Sequence, residues 1–157
     1  MLEILLSKPA LIGLHLAFAI VGIDAFLWLL GEIKNDSWRK ARLYWSAVVG
    51  VFSFVLSWLS GGYYYVKYYG GLVKPVIQGG LAPWAHNIIM ETKEHVFLFI
   101  IPLAFTALFI TFLDKKEFEE SNIKRMSMVL VLLIVGLGLT IGAMGFIISA
   151  AARWGVK

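Results

Sequence analysis

Residues 127–152 read SMVLVLLIVGLGLTIGAMGFIISAAA, and this stretch decides the fold because it contains no charged side chain. About 20 consecutive apolar residues cross the hydrocarbon core of a bilayer as a helix. Three other predominantly apolar blocks of sufficient length precede it, at about 11–30, 43–64 and 88–113. The sequence therefore predicts one domain over residues 1–157, an all-α integral membrane protein built as a four-helix transmembrane bundle.

The composition supports a membrane protein and excludes several other classes. Hydrophobic residues make up 60% of the 157 residues and charged residues 15%, whereas soluble domains have about 45–50% and about 25%. The chain has no cysteine, which excludes disulfide frameworks, iron–sulfur clusters, zinc–thiolate sites and covalently attached c-type haem. Basic residues cluster in the first and third loops between the blocks, so we expect both termini outside the plasma membrane and no nucleic-acid partner.

The four blocks form two similar halves, each a predicted helical hairpin. In each half the returning helix carries small residues on one face, because they recur every three or four positions. These residues are Ser46, Gly50, Ser53, Ser57 and Ser60 in the second block and Gly138, Gly142, Gly145, Ser149 and Ala152 in the fourth. The pattern indicates two pseudo-symmetric hairpins that pack closely. The same lack of side chains would leave room for a flat cofactor beside Ser57, Ser60, Gly142 and Gly145.

Two histidines occupy matching positions in the first helix of each half. His15 lies about 6 Å and His95 about 7–10 Å inside its block, at the rise of an α-helix. Ionisable side chains within a bilayer usually face the bundle interior and mark functional sites. Neutral imidazole is a common axial ligand of haem iron, and four-helix bundles build cofactor sites from facing side chains. We therefore expect His15 and His95 to face one another in the outer half of the bundle.

With these two histidines and the small-residue stripes, the chain resembles the membrane cytochromes b, four-helix proteins that ligate haem through histidines of different helices. The resemblance implies a b-type haem between the first and third helices, with His15 and His95 as axial ligands. It also implies an electron-transfer subunit that works with other subunits of a membrane redox complex. The chain departs from members of that group with two haems and four ligands, because only two of its histidines are clearly intramembrane.

Two other interpretations use the same region. Glu91 and His95 are four residues apart and share a helix face, as paired metal ligands do. With His86 and His15 they could complete a shell for copper, zinc or non-haem iron, or Glu91 could orient a ligating histidine. Alternatively, the chain has no cofactor and is a non-catalytic membrane subunit for assembly, anchoring or transport, whose histidines only hydrogen-bond neighbouring helices.

Asp24 predicts a contact outside the bundle. It follows His15 by nine residues, which places it on the opposite side of an α-helix. If His15 faces inward, Asp24 faces lipid, where a carboxylate is costly. We expect it to contact another subunit or a second copy of the chain, unless Lys40 or Arg42 of its own chain reaches it by snorkelling.

Residues 65–87 are rich in tyrosine and glycine and contain Pro75 and Pro83. This composition predicts a long loop that caps the outer end of the bundle and lines a site or contacts a partner.

Overall fold

The computed structural model describes residues 2–35, 38–120 and 122–155. These residues form helices joined by short turns, without strands. The α-helices are α1 (Leu2–Leu5), α2 (Lys8–Lys34), α3 (Lys40–Tyr64), α4 (Lys74–Gln78), α5 (Glu91–Ile110), α6 (Lys115–Glu120) and α7 (Ile123–Trp154). Two π-helical segments, Tyr65–Val73 and Ala85–Met90, continue α3 into α4 and lead into α5.

Four helical stretches are long and apolar enough to cross a membrane, as predicted. They are Lys8–Lys34, Lys40–Gln78, Ala85–Ile110 and Ile123–Trp154. Each begins a few residues before the corresponding predicted block. The reason is that backbone hydrogen bonding continues into polar flanking residues, which an apolar pattern does not register.

The prediction of a loop over residues 65–87 is wrong for most of that segment. The helix continues from α3 through the π-helical turns to the end of α4. Tyr69, Val73 and Ile77 are spaced four residues apart and are buried on one face. Their burial offsets the poor helix propensity of the neighbouring glycines. Pro75 lies at the start of α4, where the π-helical segment continues into it, so its missing N–H removes one backbone hydrogen bond from this continuous helix.

The four long helices form a ring. α2 packs against α3 and α7, and α5 packs against the same two helices, so α2 and α5 stand at opposite corners. Leu6 and Gly155 lie at one end of the bundle, because the Tyr68 hydroxyl donates to the Leu6 carbonyl at 2.9 Å and Gly155 packs on Val76. We call this the terminal end, and the end with the α2–α3 turn and α6 the loop end.

Two phenylalanines and two glycines form a close packing contact between α2 and α3 in the middle of the bundle. The rings of Phe26 and Phe54 stack with centroids 5.5 Å apart and planes 16° apart. A Cβ on Gly22 would lie 2.6 Å from the Phe54 ring, and a Cβ on Gly50 would lie 2.6 Å from the Phe26 ring. Each ring therefore fills the space that the opposite glycine leaves, which is the close packing predicted for Gly50.

The outward surface of the bundle is apolar on every long helix. Large side chains such as Trp28, Phe52, Phe99 and Phe146 are exposed, the last by 73%. Exposed apolar area of this extent is unusual for soluble monomers and marks a surface that contacts lipid or protein.

A buried carboxylate joins α2 to α3 at the loop end. Glu32 is only 9% exposed and accepts a hydrogen bond from Trp28 Nε1 at 3.0 Å. Arg39 and Arg42 lie 3.7 Å and 3.5 Å from its oxygens. Lys40 instead donates to the carbonyl of Phe112 at 3.0 Å. Arg39, Lys40 and Arg42 therefore each have a partner at the loop end.

Candidate functional site

His15 is bound to α3 through Ser57. Its Nδ1–H is shared between the carbonyl oxygen of Ser57 at 2.8 Å and the hydroxyl oxygen at 3.0 Å. The hydroxyl in turn donates to the carbonyl of His15 at 2.9 Å. A Cβ on Gly61 would lie 2.6 Å from Nδ1, so the absence of a side chain there makes room for the ring. Because Nδ1 carries the proton in this arrangement, Nε2 of the neutral ring keeps its lone pair.

His95 lies on the outward side of α5. Its Nδ1–H donates to the carbonyl of Glu91 on the same helix at 2.6 Å, and the residue is exposed. Phe97 and Ile100 are buried and define the inward side of α5. The structure therefore does not bring His15 and His95 together, because their helices are at opposite corners and His95 points outward. Their role as ligands stays a prediction.

Lys93 takes the inward position that was predicted for His95. Its Nζ lies 3.7 Å from the position of a Cβ on Gly145 of α7. Lys93 is half-buried, so its side chain extends from α5 toward α7. His15, Lys93 and Gly145 each lie about 10–14 Å along their helices from the terminal end. A cation therefore enters the bundle at the level of His15.

Glu94, next to Lys93, brings a carboxyl group to the same region. Its Oε1 atom is buried and has no hydrogen-bond partner among the residues that the structure describes. The carboxyl group of Glu94 is also close enough to the Tyr65 hydroxyl to interact with it. The ring of Tyr65 stacks on that of Tyr69, with centroids 5.1 Å apart. Glu91 and Glu94 at the start of α5 and Tyr65 and Tyr69 of the π-helical segment Tyr65–Val73 therefore lie at the terminal end of the bundle.

A buried histidine links these phenols to the surface. His86 is 2% exposed and Tyr69 1% exposed. The Tyr69 hydroxyl lies 3.1 Å from His86 Nδ1, and His86 Nε2 lies 3.7 Å from Glu91 Oε1. A carboxylate beside Nε2 favours a proton on that nitrogen, so the hydroxyl donates to Nδ1. Glu91 itself is exposed.

These side chains form one polar region within an otherwise apolar bundle. We call it the terminal polar cluster: His15, Ser57, Tyr65, Tyr69, His86, Glu91, Lys93 and Glu94. It combines an amine, two carboxyl groups, two phenols and two imidazoles, all of which are titratable. Sequence reasoning missed Lys93, Glu94 and the two tyrosines. The signal for Lys93 was present, because residues 93, 97, 100, 104 and 107 follow the spacing of one helix face.

The other predicted cofactor-binding residues lie apart from one another. Ser60 donates to the carbonyls of Leu56 and Ser57 on its own helix, at 2.8 Å and 3.1 Å. Gly142 is exposed, and a Cβ there would meet nothing within 4 Å. Gly145 faces Lys93, as described above. The α7 stripe is therefore not a continuous inward face.

The alternative metal site is incomplete. His86 and Glu91 are brought together, but His95 points away from them and His15 is bound to Ser57. Within residues 2–35, 38–120 and 122–155, no group of three or more His, Asp or Glu side chains is arranged to hold a metal ion.

Asp24 is exposed on α2, as predicted. Lys40 and Arg42, the two residues considered as partners within the chain, contact Phe112 and Glu32 instead.

No protein-family model, curated protein or solved structure matches the chain. Its function is therefore inferred from the terminal polar cluster itself.

Proposed function

We propose that this chain is a multi-pass plasma-membrane protein whose terminal polar cluster takes up and passes protons on the outer side. In this proposal it serves as a subunit of a membrane redox or transport complex, with both termini outside. The observation that carries the proposal is that Lys93 extends into the bundle toward Gly145, at the level of His15. It is followed by Glu94, whose buried Oε1 atom has no hydrogen-bond partner among the described residues. Ionisable groups that face the interior of membrane bundles mark ion pathways and proton relays.

The cluster supplies a plausible order of proton carriers. Glu91 is exposed and lies next to His86 Nε2. Imidazole takes up a proton at one nitrogen and releases one from the other, so His86 connects Glu91 to the hydroxyl of Tyr69. Tyr65, which stacks on Tyr69, and the neighbouring Glu94 are the next proton carriers toward the interior of the bundle.

The apolar core limits the proposed role to one side of the membrane. Phe26, Phe54, Ile100 and Ile134 fill the centre of the bundle and are buried. The cleft toward the loop end, lined by residues such as Leu29 and Val131, holds about 10 Å³, room for about one water molecule. We therefore propose proton exchange with the outer side, not conduction through the chain.

Two measurements test this proposal. Liposome flotation tests membrane insertion, and an impermeant maleimide tests topology: Lys8→Cys should react from outside and Lys115→Cys should not. Infrared spectra of the reconstituted protein, recorded against pH, test proton uptake. One carboxyl band should be present in the wild type and in Glu119→Gln, the control at the loop end, and absent from Glu94→Gln, while the bands of the other carboxyl groups remain. A band that is identical in all three proteins would contradict the proposal.

A b-type haem subunit is the second candidate. The hydrogen bond from His15 Nδ1 to Ser57 favours it, since haem-ligating histidines commonly hold one nitrogen this way. A haem would supply reversible electron transfer. The residues of one chain fit a single ligand, however, because His95 is exposed on the other side of α5. A pyridine haemochrome assay with metal analysis of the purified protein decides between a haem protein and one without cofactor.

A further inference from the structure

The hydroxyl of Tyr69 is placed against a base in the buried part of the terminal polar cluster. Tyr69 is 1% exposed and His86 2% exposed, and the phenol oxygen lies 3.1 Å from Nδ1 of the imidazole. The two residues come from different π-helical segments, Tyr65–Val73 and Ala85–Met90. The phenolic proton is therefore directed at a nitrogen atom that can take it, within a contact that is shielded from solvent.

Such a contact decides what happens when the phenol loses an electron. Removal of one electron from a neutral phenol leaves a radical cation, and an unpaired charge is costly in a buried site. A base within hydrogen-bond reach can take the phenolic proton, and the radical that remains is then neutral. The proton also reaches a favourable position, because His86 Nε2 lies 3.7 Å from Glu91 Oε1. A carboxylate this close favours the charged imidazolium.

A second aromatic ring connects the buried phenol to the side of the bundle. The ring of Tyr65 stacks on that of Tyr69, with centroids 5.1 Å and planes 18° apart. Tyr65 is half-buried, so the stacked pair extends from the buried contact toward the surface. An electron acceptor outside the chain can therefore approach the aromatic pair without entering the contact between Tyr69 and His86.

We propose that Tyr69 is a redox-active tyrosine, whose one-electron oxidation is coupled to proton transfer to His86. The oxidant is a high-potential metal complex outside the chain, which takes one electron from Tyr69 and is itself reduced by one electron. The O–H bond of the phenol breaks and an N–H bond forms at His86 Nδ1, which leaves a neutral tyrosyl radical beside an imidazolium. Return of one electron to the radical reverses both transfers. The inference goes beyond the proposed function, because it concerns electron transfer from Tyr69 and does not require proton uptake by Glu94.

The neighbouring Tyr68 supplies a matched control. Its hydroxyl donates to the carbonyl of Leu6 at 2.9 Å, and a backbone carbonyl accepts a hydrogen bond but is too weak a base to take the proton. Oxidation of Tyr68 therefore lacks the proton acceptor that Tyr69 has. Phenylalanine keeps the ring and removes only the hydroxyl, so Tyr69→Phe and Tyr68→Phe test the two hydroxyls with the ring packing retained.

The experiment is photo-oxidation of the full chain in lipid nanodiscs by tris(bipyridine)ruthenium(III), generated with a laser flash and a sacrificial electron acceptor. Transient absorption gives the rate of radical formation, and electron paramagnetic resonance distinguishes tyrosyl from tryptophanyl radicals. We expect a long-lived tyrosyl radical in the wild type and in Tyr68→Phe, and a several-fold smaller signal in Tyr69→Phe. The radical should form more slowly in heavy water than in ordinary water, because a proton moves with the electron.

His86→Gln separates proton transfer from hydrogen bonding. The amide oxygen of glutamine can accept the hydrogen bond of the Tyr69 hydroxyl but does not take its proton, so formation of the radical should slow by about tenfold or more. A wild type without a tyrosyl radical, a signal that Tyr69→Phe retains, or a rate that is unchanged in His86→Gln or in heavy water would overturn the proposal. A signal that only Tyr65→Phe removes would place the oxidation on the other ring of the stack and would also overturn it. The carboxyl band of Glu94 is measured without any oxidant, so failure of this inference is distinguishable from failure of the proton-uptake proposal.

Discussion

The Phe–Gly packing between α2 and α3 makes a quantitative prediction about stability. In Gly22→Ala the new Cβ would lie 2.6 Å from Cδ1 and Cε1 of the Phe54 ring. The ring cannot move away freely, because it stacks on Phe26 and both side chains are buried. Overpacking of a tight core costs about 1–3 kcal/mol. Alanine in a helix regains up to about 1 kcal/mol relative to glycine, so the net loss should be about 0–2 kcal/mol.

A matched control separates these two effects. Gly136 also lies within a long helix, but a Cβ there would meet no atom within 4 Å. Gly136→Ala should therefore show the propensity gain alone, and the two variants should differ in unfolding free energy by about 1–3 kcal/mol. The assay is reversible unfolding in mixed micelles followed by circular dichroism. Adding Phe54→Leu to Gly22→Ala should recover part of the loss, since leucine leaves the space that the Cβ needs. Equal stability of Gly22→Ala and Gly136→Ala would refute the packing described here.

Three further predictions concern the terminal polar cluster. Gly61→Ala should lower the unfolding free energy by a net of about 0–2 kcal/mol in the same assay. The new Cβ would lie 2.6 Å from His15 Nδ1, and the helix propensity of alanine offsets part of the overpacking cost. His86→Ala should lower it by about 1–3 kcal/mol, since the Tyr69 hydroxyl would stay buried without its acceptor; retained stability would show that another group replaces the imidazole. If the purified protein contains haem, His15→Ala should abolish the Soret band and His95→Ala should leave it, and the reverse result would place the ligand on the outward side of α5.

The sequence was sufficient for the fold at the level of its four long helices. Apolar blocks of spanning length have few alternatives, and the predicted close packing of the small-residue stripe holds for Gly50, which faces the Phe26 ring. The segment after Tyr64 was not predictable from composition, because its helix depends on burial of Tyr69 and Ile77 against other helices. Tertiary contacts of this kind override local propensity.

The orientation of α5 about its own axis determines which of its side chains face the bundle interior. This orientation limited how much of the site could be predicted. Depth along a helix follows from residue counting alone, which is why His15 and His95 were assigned similar depths. The direction of a side chain depends on which face is buried, and the buried residues of α5 place Lys93 inward and His95 outward. A search for histidine patterns could not detect this orientation of α5. The helical spacing of Lys93 with Phe97 and Ile100 does indicate it.

The most direct test of the central claim is a titration of the three histidines by nitrogen-15 NMR in lipid nanodiscs. The chain has only three histidines, so their signals can be assigned by single substitutions. The claim that Lys93 acts on His15 inside the bundle predicts that His15 titrates at a different pH in Lys93→Met than in the wild type. His95, on the opposite side of α5, is the control, and its signals should be the same in both proteins. An unchanged His15 titration, or an equal change at His95, would contradict the account.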